Sequence, residues 1–238
     1  DFTKEMCNKM AEHEVKTLVD SRDKEKYTVA KLKDGKCWMT QNLRYKLDTT
    51  KSLTPADSDV NSNWTPTRNT ETTLTDRWDQ DSEGFKTVRS YFDPSQPING
   101  AYYTHTAATA GTTTNINNNG ENSSGSICPK GWKLPTDGGT SNGDFSKLYE
   151  KYSSIQFRTD APKYLLSGYR ISSGMKNVGT YGCYWSSTVY NESRAWNMEM
   201  DSAQVTPRYN SNRDGGFNVR CIQKEPEVSM QDFSKEMC

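Results

Sequence analysis

Cysteine is the residue type with the widest chemical potential in this 238-residue chain, because a thiolate can bind a metal, act as a nucleophile or enter a disulfide. The six cysteines are Cys7, Cys37, Cys128, Cys183, Cys221 and Cys238. None falls in a Cys-x-x-Cys motif, and the only histidines are His13 and His105, so no zinc site is predicted. Wide spacing in a chain rich in Thr, Asn and Ser favours extracellular disulfides, with buried free thiols of a cytosolic protein as the alternative.

Acidic side chains gather in one polar segment. They are Asp79, Asp81, Glu83 and Asp93. Their oxygens could form a carboxylate pair or a calcium site, but Arg77, Lys86 and Arg89 lie among them and solvated acids are the ordinary outcome. We therefore predict no metal ligand and no cofactor, with calcium as the one ion to be considered.

A nucleophilic triad is not predicted either. His105 follows Tyr102 and Tyr103, and the sequence identifies no Ser or Cys partner for it. No residue is assigned a catalytic or cofactor-binding role, and the expectation is that the protein is not an enzyme.

The overall composition excludes further classes. Thirty basic and thirty acidic residues cancel, so no net field would attract nucleic acid or an anionic membrane. Apolar runs such as residues 164–166 are far shorter than the roughly 20 residues of a membrane span. The chain starts at Asp1 without a basic and then apolar leader, so we expect any export signal to lie outside it. Despite a mean hydropathy of -0.96, the 6 Trp, 13 Tyr and 7 Phe predict a folded domain with long polar loops.

The heptapeptide at residues 1–7, DFTKEMC, recurs at residues 232–238 as DFSKEMC. The match predicts a tandem array in which residues 232–238 begin the next copy, and a helix-forming tag used twice is the alternative. Residues 225–231 are then the linker. It has one proline and no glycine, which favours a short, stiff connection.

The repeated segment has the spacing of a short helix with one apolar face. Phe2 and Met6 lie on that face, and Phe233 and Met237 repeat it. Cys238 is the counterpart of the first cysteine, so one period holds an odd number of cysteines. We expect these five residues to take part in contacts between neighbouring copies of the repeat, which are the predicted partners.

We expect residues 1–224 to form one domain with three parts. Residues 1–47 are predicted to be a helix and a hairpin, residues 48–126 a polar loop insertion, and residues 127–224 a helix followed by C-terminal strands. The clearest helix begins after the cap-like Asp144 and carries a stripe of apolar residues at helical spacing. The fold class predicted from this pattern is α+β.

Several motifs in order resemble the Fibrobacter succinogenes major paralogous domain family. They are GKCWMTQNL at 35–43, ICPKGWKLPT at 127–136, YWSST at 184–188 and GFNVRC at 216–221. The resemblance runs from about Val15 to Gln223. It implies a C-type-lectin-like fold related to formylglycine-generating enzymes, with short twisted antiparallel strands, one or two helices and long polar loops. It also implies a place in large secreted or surface bacterial proteins.

The long disulfide of lectin-like domains implies a bond between Cys128, just before the helix, and Cys221, in the last strand. A second bond between Cys7 and Cys37 is expected, which leaves Cys183 over. The related oxidases need two cysteines close together near the C-terminus, and this chain has no such pair. Calcium-dependent sugar binding is not implied, because the segments at 96–99 and 196–198 depart from the lectin pattern.

One candidate ligand surface remains, formed by residue types that favour adaptable binding. Its members are Tyr190, Asn191, Tyr209, Asn210 and Asn212. Ordinary turn residues are the alternative. Two functions are therefore kept: a structural repeat of a secreted, adhesive bacterial surface fibre, and a lectin-like module of a cell-surface adhesin that recognises a glycan or a protein.

Overall fold

The computed structural model describes residues 2–74, 84–137 and 142–225. Within these residues fourteen strands form three sheets, and the four helices have at most six residues each. The predicted α+β, C-type-lectin-like class is therefore wrong, and the fold is rich in β-sheet. The reason lies in the apolar stripes, which cover too few turns to build long helices, whereas antiparallel pairing between successive strands supplies most of the regular structure.

The first sheet is antiparallel throughout. Its five strands, numbered along the chain and given in spatial order, are Val15–Val19 (β1), Lys26–Lys31 (β2), Cys37–Met39 (β3), Ile222–Gln223 (β14) and Trp132–Lys133 (β7). The hairpin and third strand predicted from residues 1–47 are β1 to β3. The C-terminal strand lies inside this sheet, beside β3.

The second sheet has seven strands and contains two parallel pairs, at β10–β13 and β4–β5. Its strands, in spatial order, are Val205–Asn212 (β12), Arg194–Met200 (β11), Gly182–Val189 (β10), Phe217–Asn218 (β13), Ala101–Tyr103 (β6), Ser90–Phe92 (β5) and Thr70–Glu71 (β4). Residues 48–126, expected as a loop insertion, thus supply three strands of this sheet. A separate hairpin is formed by Tyr169–Ile171 (β8) and Gly174–Lys176 (β9).

The helices are short and sit between or beside the sheets. They are Lys4–Lys9 (α1), His105–Ala108 (α2), Asp144–Tyr149 (α3) and Gln156–Thr159 (α4), with 3-10 turns at Gly84–Lys86 and Pro97–Asn99. In α3 the predicted cap, Asp144, is the first helical residue and Gly143 is the N-cap. The helix ends at Tyr149 although the apolar stripe continues to Tyr152, which is buried beyond the helix end.

Aromatic side chains fill two cores. In the first, Trp185 stacks on Phe217 at 4.2 Å between ring centroids, and its indole Nε1 donates to the Tyr103 carbonyl at 2.7 Å. In the second, Trp38 stacks on Phe145 of α3 at 5.9 Å. Both tryptophans are fully buried. Large rings, each contributing about 1.5–3 kcal/mol on burial, thus compensate for the small apolar fraction of the chain.

Arg220 is a fully buried charge that joins separate segments. Its Nε donates to Asn42 Oδ1 at 2.8 Å and its Nη2 to the Lys163 carbonyl at 2.7 Å, while Nη1 donates to the Pro162 carbonyl. The guanidinium also lies 4.2 Å from the centroid of the Tyr164 ring. These contacts satisfy a charge that would otherwise be costly to bury.

Both disulfides that were expected from the sequence are present: Cys7–Cys37, separated by 30 residues, and Cys128–Cys221, separated by 93 residues. The first bond ties α1 to β3. The second ties the segment before β7 to the segment before β14. Cys183 is free and buried.

Replacing Cys128 and Cys221 together by Ala should lower the free energy of unfolding by about 4 to 5 kcal/mol, because the bond closes a loop of 93 residues in the unfolded chain. Guanidinium unfolding followed by tryptophan fluorescence measures this loss.

The matched control is the double replacement of Cys7 and Cys37 by Ala. It removes the cross-link that closes a loop of 30 residues, which the same chain-entropy model values at about 3.5 kcal/mol. It should in addition release α1 and raise hydrogen exchange in residues 4–9. A global loss as large as that of the first pair, with exchange in α1 unchanged, would contradict this assignment.

Candidate interaction surfaces

A depression of about 350 Å³, here called the N-terminal groove, lies between α1 and the edge strand β1. Its lining is mixed, with the apolar residues Phe2, Met6, Leu18, Val19 and Trp132 beside the charged residues Asp20, Asp57 and Lys130. The Phe2 ring stacks on Trp132 at 5.7 Å, while Met6 is 41% exposed and Val19 is 56% exposed. The exposed apolar side chains Met6 and Val19 would lose their contact with water if another surface covered the groove.

Local contacts explain why α1 forms in this position. Thr3 is its N-cap, and Oγ1 of Thr3 accepts a hydrogen bond from the Met6 backbone at 3.2 Å. Lys9 pairs with Glu5 across one turn at 2.6 Å. Cys7 is buried and bonded to β3. The helix is therefore held by its cap, one ion pair and a covalent bond.

Of the five residues predicted to contact neighbouring copies, Phe2 and Met6 both line the N-terminal groove. Phe233, Met237 and Cys238 lie outside the described residues.

The two ends of the described domain meet beside this groove. Lys4 in α1 forms an ion pair with Glu225. The Lys224 backbone donates to the Gly131 carbonyl at 2.9 Å, and the Lys224 ammonium lies 3.3 Å from Asp59. The first and last described segments of the chain are therefore in contact.

The predicted ligand surface is divided between the two faces of the second sheet. Asn210 lies opposite Trp196 in the β11–β12 register, whereas Tyr209 lies opposite Asn197. Successive strand residues point to opposite faces, so Tyr209 and Asn210 cannot contact one ligand together on a single face. Asn191 is a turn residue, whose Oδ1 accepts from the Ser193 and Arg194 backbone groups.

One face of this pair forms a coherent patch, the Trp196 platform, defined by Tyr190, Trp196, Asn210 and Asn119. The half-buried Trp196 packs edge-on against Tyr190 at 5.1 Å, and its indole nitrogen donates to Asn119 Oδ1 at 2.9 Å. The prediction omitted Trp196, which the cross-strand register would have placed beside Asn210. The sequence did not indicate a role for Asn119, because this residue contacts Trp196 of β11 from a loop 77 residues away.

A second depression, the Trp64 groove, has a volume of about 770 Å³. It is defined by Asn61, Asn63, Trp64, Thr112 and Thr114, and among the described residues that line it there is no Asp or Glu. Gly111, at φ +74°, packs against the indole edge, where a Cβ would come within 2.6 Å of Nε1. An aromatic ring surrounded by amides and hydroxyls suits a neutral polar ligand better than a cation.

Two buried side chains that could do chemistry are not arranged for it. Cys183 lies opposite Glu199 in the β10–β11 register, and burial, with a smaller effect of that carboxyl, raises the pKa of the thiol well above its ordinary value. His105 is fully buried, and burial with the nearby Arg213 lowers its pKa to about 3. Its Nε2 lies 3.1 Å from the Ser186 carbonyl. The protonated Cys183 thiol and the neutral, enclosed His105 imidazole are therefore parts of the core.

Two acids at the start of α3 have opposite environments. Burial raises the pKa of Asp137 to about 7, although the Ser146 hydroxyl donates to both its oxygens at 3.1 and 3.2 Å. Burial alone would also raise the pKa of Asp144, but the Lys133 and Lys36 ammonium groups, 2.8 and 2.7 Å away, hold that pKa well below its usual range. The carboxyls of Asp137 and Asp144 therefore titrate at widely different pH values.

The candidate calcium ligands Asp79, Asp81 and Glu83 lie outside the described residues. Asp93 is described, and its Oδ1 accepts from the Ser95 backbone and hydroxyl at 2.8 and 2.6 Å. Residues 2–74, 84–137 and 142–225 hold no group of three or more His, Cys, Asp or Glu placed to bind a metal ion. In the same residues no helix has the length and apolar character that crossing a membrane requires.

Comparison with known proteins gives one match. A family described as a domain of unknown function (DUF8237) matches residues 146–222, which is less than half of the chain. The matched segment runs from α3 to β14 and omits β1 to β7. No curated protein and no solved structure matches the chain.

Replacing Asp137 by Asn should flatten the pH dependence of stability between about pH 4 and pH 7. In this window the folded chain keeps the Asp137 proton while the unfolded chain has released it, so stability falls as the pH rises, by at most about 1.4 kcal/mol per pH unit. Urea unfolding at several pH values measures the slope.

Asp144→Asn is the matched control with the opposite sign. In the parent chain, the lowered pKa of the Asp144 carboxyl stabilises the fold at neutral pH. That contribution is lost as the pH falls below the ordinary value of 3.8. Equal slopes for the parent and the Asp137 variant between pH 4 and 7 would show that the Asp137 carboxyl is not held in its protonated form.

Proposed function

We propose that this chain is one repeat of a secreted bacterial surface protein, a structural unit of an adhesive fibre. The observation that carries the proposal is the recurrence of DFTKEMC, because in its first occurrence this segment is built into the fold by specific contacts. The two disulfides and the resemblance of the motifs favour an extracellular protein, and the recurrence favours an array.

The residues kept in the second heptapeptide are those with structural roles in the first. Phe2 stacks on Trp132, Lys4 pairs with Glu225, and Cys7 is bonded to β3. The one difference replaces Thr3 by Ser234, and both residue types supply the hydroxyl that an N-cap needs. A segment that keeps its cap, ring, cation and cysteine is suited to form the same helix in a following copy.

Disulfide mapping of the native, full-length protein tests the proposal. Peptides holding Cys238 should be bonded to the next copy's counterpart of Cys37, while Cys7–Cys37 and Cys128–Cys221 serve as internal controls. A bond from Cys238 to Cys183, or a free Cys238 next to a complete second copy, would contradict the tandem arrangement.

A ligand-binding module of a surface adhesin is the second candidate function. The Trp64 groove supports it, since an indole beside amides and hydroxyls without acidic groups in the described lining suits a neutral glycan. Adhesive fibres can combine both roles.

On a glycan array, Trp64→Ala should weaken glycan binding by at least tenfold, because the stacking surface is lost. Trp64→Phe should retain most of the binding. Trp196→Ala is the matched aromatic control outside this groove. If the parent chain binds no glycan on the array, or if only the Trp196 variant loses binding, the Trp64 groove is not a glycan site.

A further inference from the structure

We infer that successive copies of this domain pack directly against each other, with the N-terminal groove of each copy covered by its neighbour. The inference rests on the proposed tandem repeat and adds the surface through which the repeats meet. The partner is a second copy of this chain.

The first step is the position of the domain ends. Lys4 and Glu225 are in contact, and the backbone of Lys224 is bonded to Gly131 beside the groove. Entry and exit of the chain therefore lie on one side of the domain. Copies joined by such ends are connected on one side of each domain, unlike domains whose termini lie at opposite ends.

The second step is the length of the connection. From residue 225 to residue 235, the counterpart of Lys4, there are ten peptide steps, which span at most about 35 Å when fully extended. A folded domain of about 225 residues has a radius of gyration of about 17 Å and a diameter of about 45 Å. The equivalent point of the next copy is thus held within one domain diameter of the groove.

The third step is the apolar surface at this junction. Met6 and Val19 are both strongly exposed in the groove, and Val15, on the same edge strand, is 55% exposed. Water contact at this patch is unfavourable, and a short tether gives an effective concentration on the order of millimolar. Even a contact too weak to form between separate chains would therefore be populated within an array.

The test uses the complete chain preceded by one further copy of residues 1–231. Small-angle X-ray scattering should give a radius of gyration of about 28 Å for two domains in contact, against about 43 Å for domains held apart by an extended linker. A value near 43 Å for the parent two-copy chain would overturn the inference.

Val19→Lys in both copies should raise the radius of gyration towards the separated value, because it places a charge in the contact. Val178→Lys is the matched control, since Val178 is 51% exposed and does not line the groove. Equal compaction in the parent chain and both variants would show that the groove is not the contact surface.

Disulfide mapping of the native, full-length protein, beside the scattering of the two-copy chain, separates the two ideas. If Cys238 of the native protein is bonded to the following copy's counterpart of Cys37 but the scattering of the two-copy chain is extended, the repeat stands and the packing is wrong. If Cys238 is bonded elsewhere, the tandem proposal itself is wrong, and the inferred packing falls with it.

Discussion

Both large sheets depend on one stretch of chain, residues 217–223. Asn218 pairs with Tyr184 and Tyr102 in the second sheet, and Ile222 pairs with Trp38 and Lys133 in the first. Between these two pairings, Arg220 is buried with its hydrogen bonds satisfied and Cys221 is bonded to the segment before β7. This crossing from sheet to sheet fixes their relative position, because backbone pairing, a buried charge and a covalent bond constrain it at the same time.

Two contacts, a disulfide and a strand pairing, connect the repeated N-terminal segment to residues 217–223. Cys7 is bonded to Cys37, the first residue of β3, and β3 pairs directly with β14 through Trp38 and Ile222. Residues 2–9 and 222–225 consequently lie close together beside the first sheet. The same connectivity that closes the fold thus places α1 beside the last described residues.

Local patterns in the sequence predicted what depends on neighbouring residues. The hairpin of β1 and β2, the third strand and the short helix at Lys4–Lys9 follow from alternation, a turn and apolar spacing. Long-range pairing was out of reach: β13 and β14 have two residues each, too few for any periodic signal. The α+β assignment was wrong because the apolar stripes cover too few turns for long helices. Tyr209 and Asn210, adjacent in sequence, point to opposite faces of the second sheet.

Only 32% of the residues are hydrophobic, so the chain has few apolar side chains that can remain exposed to water. Most of it is enclosed, with Trp38 and Trp185 fully buried in the two cores. In the Trp64 groove the half-buried ring of Trp64 has amide and hydroxyl side chains among its neighbours. The N-terminal groove differs, because it combines the exposed Met6 and Val19 with a chain junction. Scattered exposed apolar residues need no explanation, but burial by a neighbouring copy, as proposed above, would account for Met6 and Val19 lying together beside the ends of the described chain.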